Sequence, residues 1–240
     1  FYQVTTVDNS VSVDQQEHVL QQQDIALKCL QPDGSFTHHQ QLQSWSQRHQ
    51  AFSMAQRGDD HLLMAYAGRS HGQVIRQMFD MSCATSLDQF QQALGQHQLP
   101  LFNILYAGRD ADTAEPHIHY SFHTIPAARG KGTWADWWQV LDGHVGANIC
   151  TGVTPFSALF QDQDPPSGWY QNCNDSPYTC TLPSPFNPAD YPSWLAPVYT
   201  NFRAQGLSRL LTEKQRYTYA DLVAAKFSTR AEMAVRVVPE

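Results

Sequence analysis

The stretch 165–177, which is rich in proline and amide side chains, constrains the fold of this chain more than any other. It begins with two prolines and a glycine, and it stops at Pro177. Proline fixes φ and glycine permits unusual φ, so both ends are predicted to form sharp turns. An extended segment between the turns would alternate its side chains between two sides. One side would carry Trp169, Gln171 and Cys173, and the other Tyr170, Asn172 and Asn174.

An asparagine at the end of such a segment supports two hypotheses. Asn174 can aim a neutral N–H₂ donor into a cleft, where such a donor can stabilise an oxyanion. Asparagine before a Ser-Pro pair is also an ordinary turn former that hydrogen-bonds its own backbone. The residues alone favour the turn, and both hypotheses stay open at this point.

Length and charge exclude several classes of protein. A chain of 240 residues is one large domain or two small ones, and it is long enough to bury a core. The formal net charge is −7 and no cluster of Lys and Arg is present, which argues against a nucleic-acid partner. No apolar run approaches the roughly 18 residues needed to cross a bilayer, so we predict no membrane partner. The sequence lacks repeats and low-complexity linkers, which favours a single domain over residues 1–240.

The two ends of the chain indicate a piece of a longer polypeptide. Residues 1–6 are typical of a strand entered in its middle, and residues 233–240 stop just after an apolar run. A naturally processed subunit is the alternative.

The cysteines limit the possible cross-links. Five cysteines are an odd number, so at most two disulfides form within the chain. Cys173 and Cys180 could bridge if the loop between them folds back, although spacing alone does not supply the required geometry. The absence of a Cys-x-x-Cys pair argues against a structural zinc site.

The first sixty residues predict antiparallel strands. Residues 24–30 and 35–41 are expected to pair across the turn signal at 32–34. Residues 51–54 and 61–66 are expected to form a second pair across the loop at 57–60.

Helical and extended patterns follow in the rest of the chain. Residues 72–96 predict helices, with Ser86 as an N-cap and Gly95 as a stop. Residues 101–107 are apolar enough for a central strand, and 117–123 predict another strand. The pattern turns helical from 193 to 211, and Thr218 is expected to cap a last helix that runs through 227.

Histidines could in principle form a metal site. A strand would place His117, His119 and His123 on one side, and His38-His39 is of the same kind. The three span roughly 20 Å of strand, so they cannot all reach one ion. We therefore predict no metal and no cofactor, and a histidine-based metal binder is the weakest alternative.

Several motifs occur along the chain in an order that is typical of a known family. In chain order they are residues 101–107, 123–129, Trp138 with Gly143, 154–156, 166–177, 202–211 and the helix at 218–227. Their order and spacing resemble the β-chain of the penicillin acylase family, which includes cephalosporin acylases and acyl-homoserine-lactone acylases. The resemblance is clear from about residue 85 to 230, and residues 166–177 match best.

The resemblance implies a fold class and a reaction. Members of this family are N-terminal-nucleophile hydrolases, so the chain is expected to be α+β, part of an αββα sandwich of antiparallel sheets with flanking helices. A serine at the start of the β-chain attacks an amide carbonyl with its own α-amine as base, and water hydrolyses the acyl-enzyme. The implied substrate is an N-acyl small molecule with an apolar acyl group, such as a β-lactam antibiotic or an acyl-homoserine lactone. The implied localisation is periplasmic or secreted.

The resemblance implies functional roles for three residues of this chain. Asn174 matches the side-chain donor of the oxyanion hole. Arg203 matches the arginine that orders the site near the nucleophile's amine, although a surface ion pair on a helix is its alternative role. Phe102 matches a wall of the acyl-binding pocket, and plain packing in a core strand is its alternative.

The chain also departs from the family pattern. Residue 1 is Phe rather than a nucleophile, the usual Tyr-Ala-Asp is Tyr106-Ala107-Gly108, and the usual His-Gly-Pro is His49-Gln50-Ala51. The expected partners are therefore an α-chain and the N-terminal part of the β-chain, and residues 1–240 alone are expected to be inactive. The alternative hypothesis is a non-catalytic homologue that acts as a binding protein.

Overall fold

The computed structural model describes residues 1–66, 69, 72–99, 102–123, 132–150 and 152–238. Contacts divide the chain into two compact units, one of residues 1–69 with 127–153 and one of residues 70–126 with 154–240. A single domain over residues 1–240 stays a prediction. Within the described ranges, no helix combines the length and the apolar character needed to cross a membrane.

The strands are numbered in chain order. They are β1 Tyr2–Thr5, β2 Ser10–Val13, β3 Gln16–Val19, β4 Gln21–Leu30, β5 Phe36–Ser46, β6 Ala51–Arg57, β7 Asp60–Met64, β8 Phe102–Arg109, β9 Pro116–His123, β10 Leu141–Asp142 and β11 Gln161–Gln163. The helices are α1 Val74–Cys83, α2 Leu87–Leu94, α3 Trp134–Trp137, α4 Phe202–Thr212, α5 Tyr219–Lys226 and α6 Glu232–Val237.

The first unit is built on a six-stranded sheet in the order β10-β1-β7-β6-β5-β4. Among the described strands of this sheet, β1 and β10 pair parallel and the other pairs are antiparallel. Strand β1 alternates buried and exposed residues, so Tyr2 and Val4 point into the core. A separate hairpin of β2 and β3 contributes Val11 and Val13 to the same core.

Both predicted hairpins of this unit are confirmed. Strands β4 and β5 pair antiparallel from Gln21↔Trp45 to Leu30↔Phe36. Their turn uses Gly34 at φ +81°, a conformation that favours glycine. Strands β6 and β7 pair across a turn at Gly58, with a shift of register between Ser53 and Ala55.

A buried histidine links two distant segments of this unit. The His49 side chain is fully buried, with Nδ1 2.6 Å from the Ser46 hydroxyl and Nε2 2.8 Å from the carbonyl oxygen of Gly143. A carbonyl only accepts, so Nε2 carries the proton and donates to Gly143, and Nδ1 accepts from Ser46. Burial lowers the pKa of His49, although the Gly143 bond opposes this shift. The ring is therefore held neutral in the folded protein.

Replacing His49 by glutamine is expected to reduce stability at pH 8 by about 1–3 kcal/mol, because buried polar partners lose their hydrogen bonds. A histidine with a lowered folded pKa stabilises the protein above its unfolded pKa, which is about 6.5. The stabilisation is lost as the pH falls below that value, so the deficit of the variant should shrink between pH 7 and 5. Urea unfolding of both proteins across this pH range measures the deficit.

His38 provides the matched control for this prediction, because it is exposed on β5. His38→Gln should change the free energy of unfolding by less than about 0.5 kcal/mol, as expected for a surface substitution. A His49→Gln deficit that is constant from pH 8 to 5 would contradict the prediction.

The second unit contains a three-stranded antiparallel sheet in the order β11-β9-β8. Its core lies under β9 and the loops that follow. The buried members are Tyr120, Phe122, Leu159, Phe160, Tyr178, Cys180, Phe186, Leu195 and Ala196. The predicted helices between 72 and 96 are confirmed as α1 and α2. Ser86 caps α2 by accepting from the backbone N–H of Gln89, and Gly95 follows its end.

The prediction that residues 101–107 form a central strand is wrong for the described sheet. Strand β8 lies at its edge, and β9 is central. The side chains of Phe102 and Leu105 are about half exposed, whereas β9 supplies the buried Tyr120 and Phe122. A continuous apolar run does not itself distinguish an edge strand from a central one.

The C-terminal helices also differ in extent from the prediction. Helix α4 begins at Phe202 rather than near residue 193. Pro197 lacks an N–H and disfavours helical geometry at Ala196, so residues 193–201 are irregular, with Leu195 buried and Val198 exposed. Thr218 caps α5 as predicted, in a capping box with Asp221. Helix α5 is not the last helix, because α6 follows it.

Candidate active site

Residues 165–177 form a folded-back loop rather than the predicted extended segment. The structure assigns no strand there. Gly168 and Asn174 have φ of +72° and +55°, and the backbone N–H of Gln171 donates to the carbonyl of Cys180 at 2.7 Å. Left-handed residues break the two-residue alternation of a strand, so the expected division of side chains between two sides does not hold. The sharp turns predicted at the ends are consistent with this path.

A buried carboxylate organises the inside of the loop. Asp175 is only 6% exposed. One carboxylate oxygen accepts from the backbone N–H of Cys173 at 3.0 Å. The other accepts from Nε2 of Gln171 at 3.0 Å and from the hydroxyl of Thr179. These bonds join both limbs of the loop to one side chain.

The N-terminus of α4 holds the loop at Cys173 and Asn174. Asn201 caps this helix, its Oδ1 accepting from the backbone N–H of Ala204 at 2.9 Å. Its Nδ2 donates to the carbonyl of Cys173 at 3.2 Å. Arg203 also donates to that carbonyl, at 2.6 Å, and to Oδ1 of Asn174 at 3.2 Å. The structure thus brings together two of the predicted site residues, Asn174 and Arg203.

The contact with Arg203 fixes the orientation of the Asn174 amide. A guanidinium group only donates, so the atom of Asn174 that faces it must be the oxygen. The N–H₂ group of the exposed Asn174 then faces away from Arg203, and no acceptor in the described part of the chain contacts it. A hydrogen bond from a cation to the amide oxygen also draws electron density from the nitrogen, which makes the N–H₂ group a better donor. The arrangement can stabilise a negatively charged oxygen.

Phe102 is not part of this arrangement in the described contacts. It begins β8, pairs across the sheet with His123 and is 55% exposed. Its predicted role in an acyl pocket therefore stays a prediction, and the alternative role as a packed core residue does not fit its exposure.

Cys173 and Cys180 do not form the bridge that was considered from the sequence. Both are free thiols, and Cys180 lies in the core of the second unit. Burial raises the pKa of the Cys180 thiol to about 12, and burial also raises that of Cys173. High pKa values disfavour the reactive thiolate.

The histidines of β9 occupy different environments. Nδ1 of His117 lies 2.7 Å from a carboxylate oxygen of Asp164, and this bond raises the pKa of His117. His119 is buried, and burial lowers its pKa. Among the described residues, no group of three or more His, Cys, Asp or Glu side chains is arranged to hold a metal ion.

Sequence reasoning missed Asp175, Gln171 and Asn201 as parts of the site. Asn201 could have been found, because an asparagine directly before an apolar-periodic segment is typical of an N-cap. Asp175 gives no such signal, since its burial depends on how the loop folds back.

The fold of this chain is shared with a protein of known structure. A solved structure of a thermostable penicillin G acylase from Alcaligenes faecalis, in its orthorhombic form, is similar to this chain with a TM-score of 0.66 and 12% sequence identity. The match covers 93% of this chain and 37% of that chain, so this chain spans little more than a third of its solved relative. It confirms the predicted fold class, α+β with antiparallel sheets and helices, of the N-terminal-nucleophile hydrolase type.

The family follows from the sequence match. The model of the penicillin amidase family matches residues 2–240. The chain therefore belongs to the penicillin amidase family, which is a family of amide hydrolases, and the resemblance recognised from the motifs is confirmed.

Proposed function

We propose that this chain is part of an acylase that cleaves the amide bond of an N-acyl substrate and that Asn174 supplies an oxyanion donor. The observation that carries the proposal is the contact between Arg203 and Oδ1 of Asn174, which leaves the N–H₂ group of Asn174 facing away from the protein contacts. Family membership supports amide chemistry. The chain covers 37% of the solved relative. This coverage supports the proposal that other parts of the protein supply the nucleophile and an α-chain.

The proposed reaction has two steps. A serine hydroxyl outside residues 1–240 attacks the carbonyl carbon, its proton passes to the α-amine of that serine, and the carbonyl electron pair moves to oxygen. Asn174 donates to this oxyanion. The C–N bond then breaks, the leaving amine takes the proton, and the acyl group stays on the serine as an ester. Water then attacks the ester and passes one of its protons through the α-amine to the serine oxygen as the carboxylic acid leaves.

The proposed substrate carries an apolar acyl group, as in a β-lactam antibiotic or an acyl-homoserine lactone. The exposed ring of Phe102 supports an apolar wall, because a half-exposed aromatic side chain at a strand end is available to contact a ligand. We extend the proposal to a periplasmic or secreted location, on the basis of the family alone.

Turnover of N-acyl anilides by the full-length protein tests the proposal. Phenylacetyl and hexanoyl nitroanilides should both release nitroaniline, with the ratio of kcat/KM values reporting the preferred acyl group. Added hydroxylamine should convert part of the acid product into the hydroxamate, because it competes with water for the acyl-enzyme. Residues 1–240 expressed alone should release no nitroaniline above the buffer rate.

Two outcomes would count against this function. A folded full-length protein that binds N-acyl anilides without turnover would support the binding-protein alternative instead. Turnover that gives no hydroxamate at any hydroxylamine concentration would argue against a covalent acyl intermediate.

A further inference from the structure

The hydrogen bonds that Asp175 accepts require a side chain with two acceptor oxygens. All three of its partners are donors, namely the N–H of Cys173, the amide of Gln171 and the hydroxyl of Thr179. A carboxylate only accepts, so it can receive from all three at once. An asparagine amide at this position would direct its own N–H₂ group at one of these donors.

The carboxylate holds the backbone N–H of Cys173, the residue before Asn174. Asp175 holds the N–H of Cys173, while Asn201 and Arg203 hold its carbonyl. Cys173 is thus held at both backbone polar groups, and Asn174 follows it directly. Asn174 has a left-handed backbone conformation, which asparagine adopts more readily than most other residues with a side chain.

The negative charge of Asp175 is offset by its own hydrogen-bond donors. Its oxygens point to the buried limbs of the loop, where three donors offset the negative charge. The N–H₂ group of Asn174 belongs to an exposed side chain whose oxygen is tied to Arg203. The three donors reduce the repulsion that Asp175 exerts on an oxyanion, and a fixed donor is needed because the donor must sit within about 0.5 Å of its productive position.

We propose that Asp175 is a positioning residue of this hydrolase: it presets the backbone of Asn174 so that the amide N–H₂ group meets the oxyanion without rearrangement. The proposal rests on the proposed function, since it gives Asp175 a role through Asn174. Contacts that preset a reacting group typically change activity by about 10- to 100-fold when they are removed.

A double-mutant cycle in the full-length protein tests the proposal. Asp175→Asn should lower kcat for a phenylacetyl nitroanilide by about 10- to 100-fold and change KM by less than about twofold. In an Asn174→Ala background, the same substitution should lower kcat by less than about twofold, because the group that it positions is already absent. Asp190→Asn serves as the control, since Asp190 is exposed in a short turn of the same unit.

The results distinguish a failure of the proposed function of Asn174 from a failure of the positioning role of Asp175. If Asn174→Ala leaves kcat unchanged, the proposed function of Asn174 is wrong. If Asn174→Ala lowers kcat but Asp175→Asn lowers it by an equal factor in both backgrounds, Asp175 acts independently of Asn174 and the positioning role is overturned. A wild-type kcat for Asp175→Asn overturns it as well.

A milder variant covers the case in which Asp175→Asn fails to fold, as judged by circular dichroism. Thr179→Val keeps the shape of the side chain but removes one donor to Asp175. In the wild-type background it should lower kcat by about 3- to 10-fold, which is less than the loss expected for Asp175→Asn. In the Asn174→Ala background it should leave kcat unchanged. Equal loss in both backgrounds, or no loss in either, would overturn the positioning role.

Discussion

Replacing Asn174 by alanine in the full-length protein is expected to lower kcat for an N-acyl nitroanilide by about 10²–10³ while KM changes little. The donor is useful mainly when charge develops on the carbonyl oxygen, so its loss raises the transition state more than the ground state. A fall of 10²–10³ corresponds to about 2.7–4 kcal/mol of transition-state stabilisation. Steady-state kinetics with the phenylacetyl and hexanoyl substrates measures this effect.

Asn174→Asp sharpens this test because it keeps the shape of the side chain. The aspartate would still pair with Arg203, but it would present an acceptor and a negative charge to the oxyanion, so kcat should fall further than in the alanine variant. Asn187→Ala is the matched control, because Asn187 is an exposed asparagine that caps a short turn in the same unit. Equal kcat values for Asn174→Asp and the wild type would exclude Asn174 as a donor.

Local signals predicted much of the secondary structure. The hairpins in the first sixty residues follow from turn residues whose backbone demands are local, such as Gly34. The helix starts at Ser86 and Thr218 follow from hydroxyl side chains that satisfy free N–H groups within the next turn. Each of these features is decided by residues three or four positions apart.

Features that depend on packing could not be predicted in the same way. Residues 101–107 have the composition of a central strand, yet the position of β8 in the sheet depends on which strands lie beside it. Leu195 and Val198 have helical spacing, but the burial of Leu195 in irregular structure depends on Pro197 and the core of the second unit, and Val198 is exposed. Such outcomes are set by tertiary contacts that override local propensity.

In the candidate site, too, the sequence identified some residues, and tertiary contacts determined the others. Asn174 and Arg203 came from the resemblance to a family, and the structure places them in contact. The supporting bonds of Asp175 and Asn201 connect residues from 171 to 204, and the loop must fold back before they can form. Phe102 also matched the family in sequence, but no described contact joins it to the loop. A matching motif therefore identifies candidate groups, and the geometry of their hydrogen bonds decides which of them act together.

Replacing Arg203 by methionine is expected to lower kcat by about 10- to 100-fold, with a smaller loss for Arg203→Lys. A hydrogen bond to a charged group contributes about 1.5–3 kcal/mol, and each 1.36 kcal/mol is a factor of ten in rate. Without Arg203, the carbonyl of Cys173 keeps its bond from Asn201, but Oδ1 of Asn174 loses its partner and the amide is free to rotate. Lysine restores a charge but not the planar fork of donors, so it should recover only part of the rate.

The separate effects of the substitution on kcat and on KM distinguish two roles for Arg203. An arginine that orients Asn174 should affect kcat, whereas an arginine that binds a charged substrate group should affect KM. Arg216→Met is the matched control, because Arg216 is an exposed arginine beyond the end of α4. If Arg203→Met raises KM and leaves kcat intact, Arg203 contacts the substrate rather than the amide of Asn174. Combining Arg203→Met with Asn174→Ala adds a second criterion, since the arginine substitution should have almost no further effect on kcat once the amide that it orients has been removed.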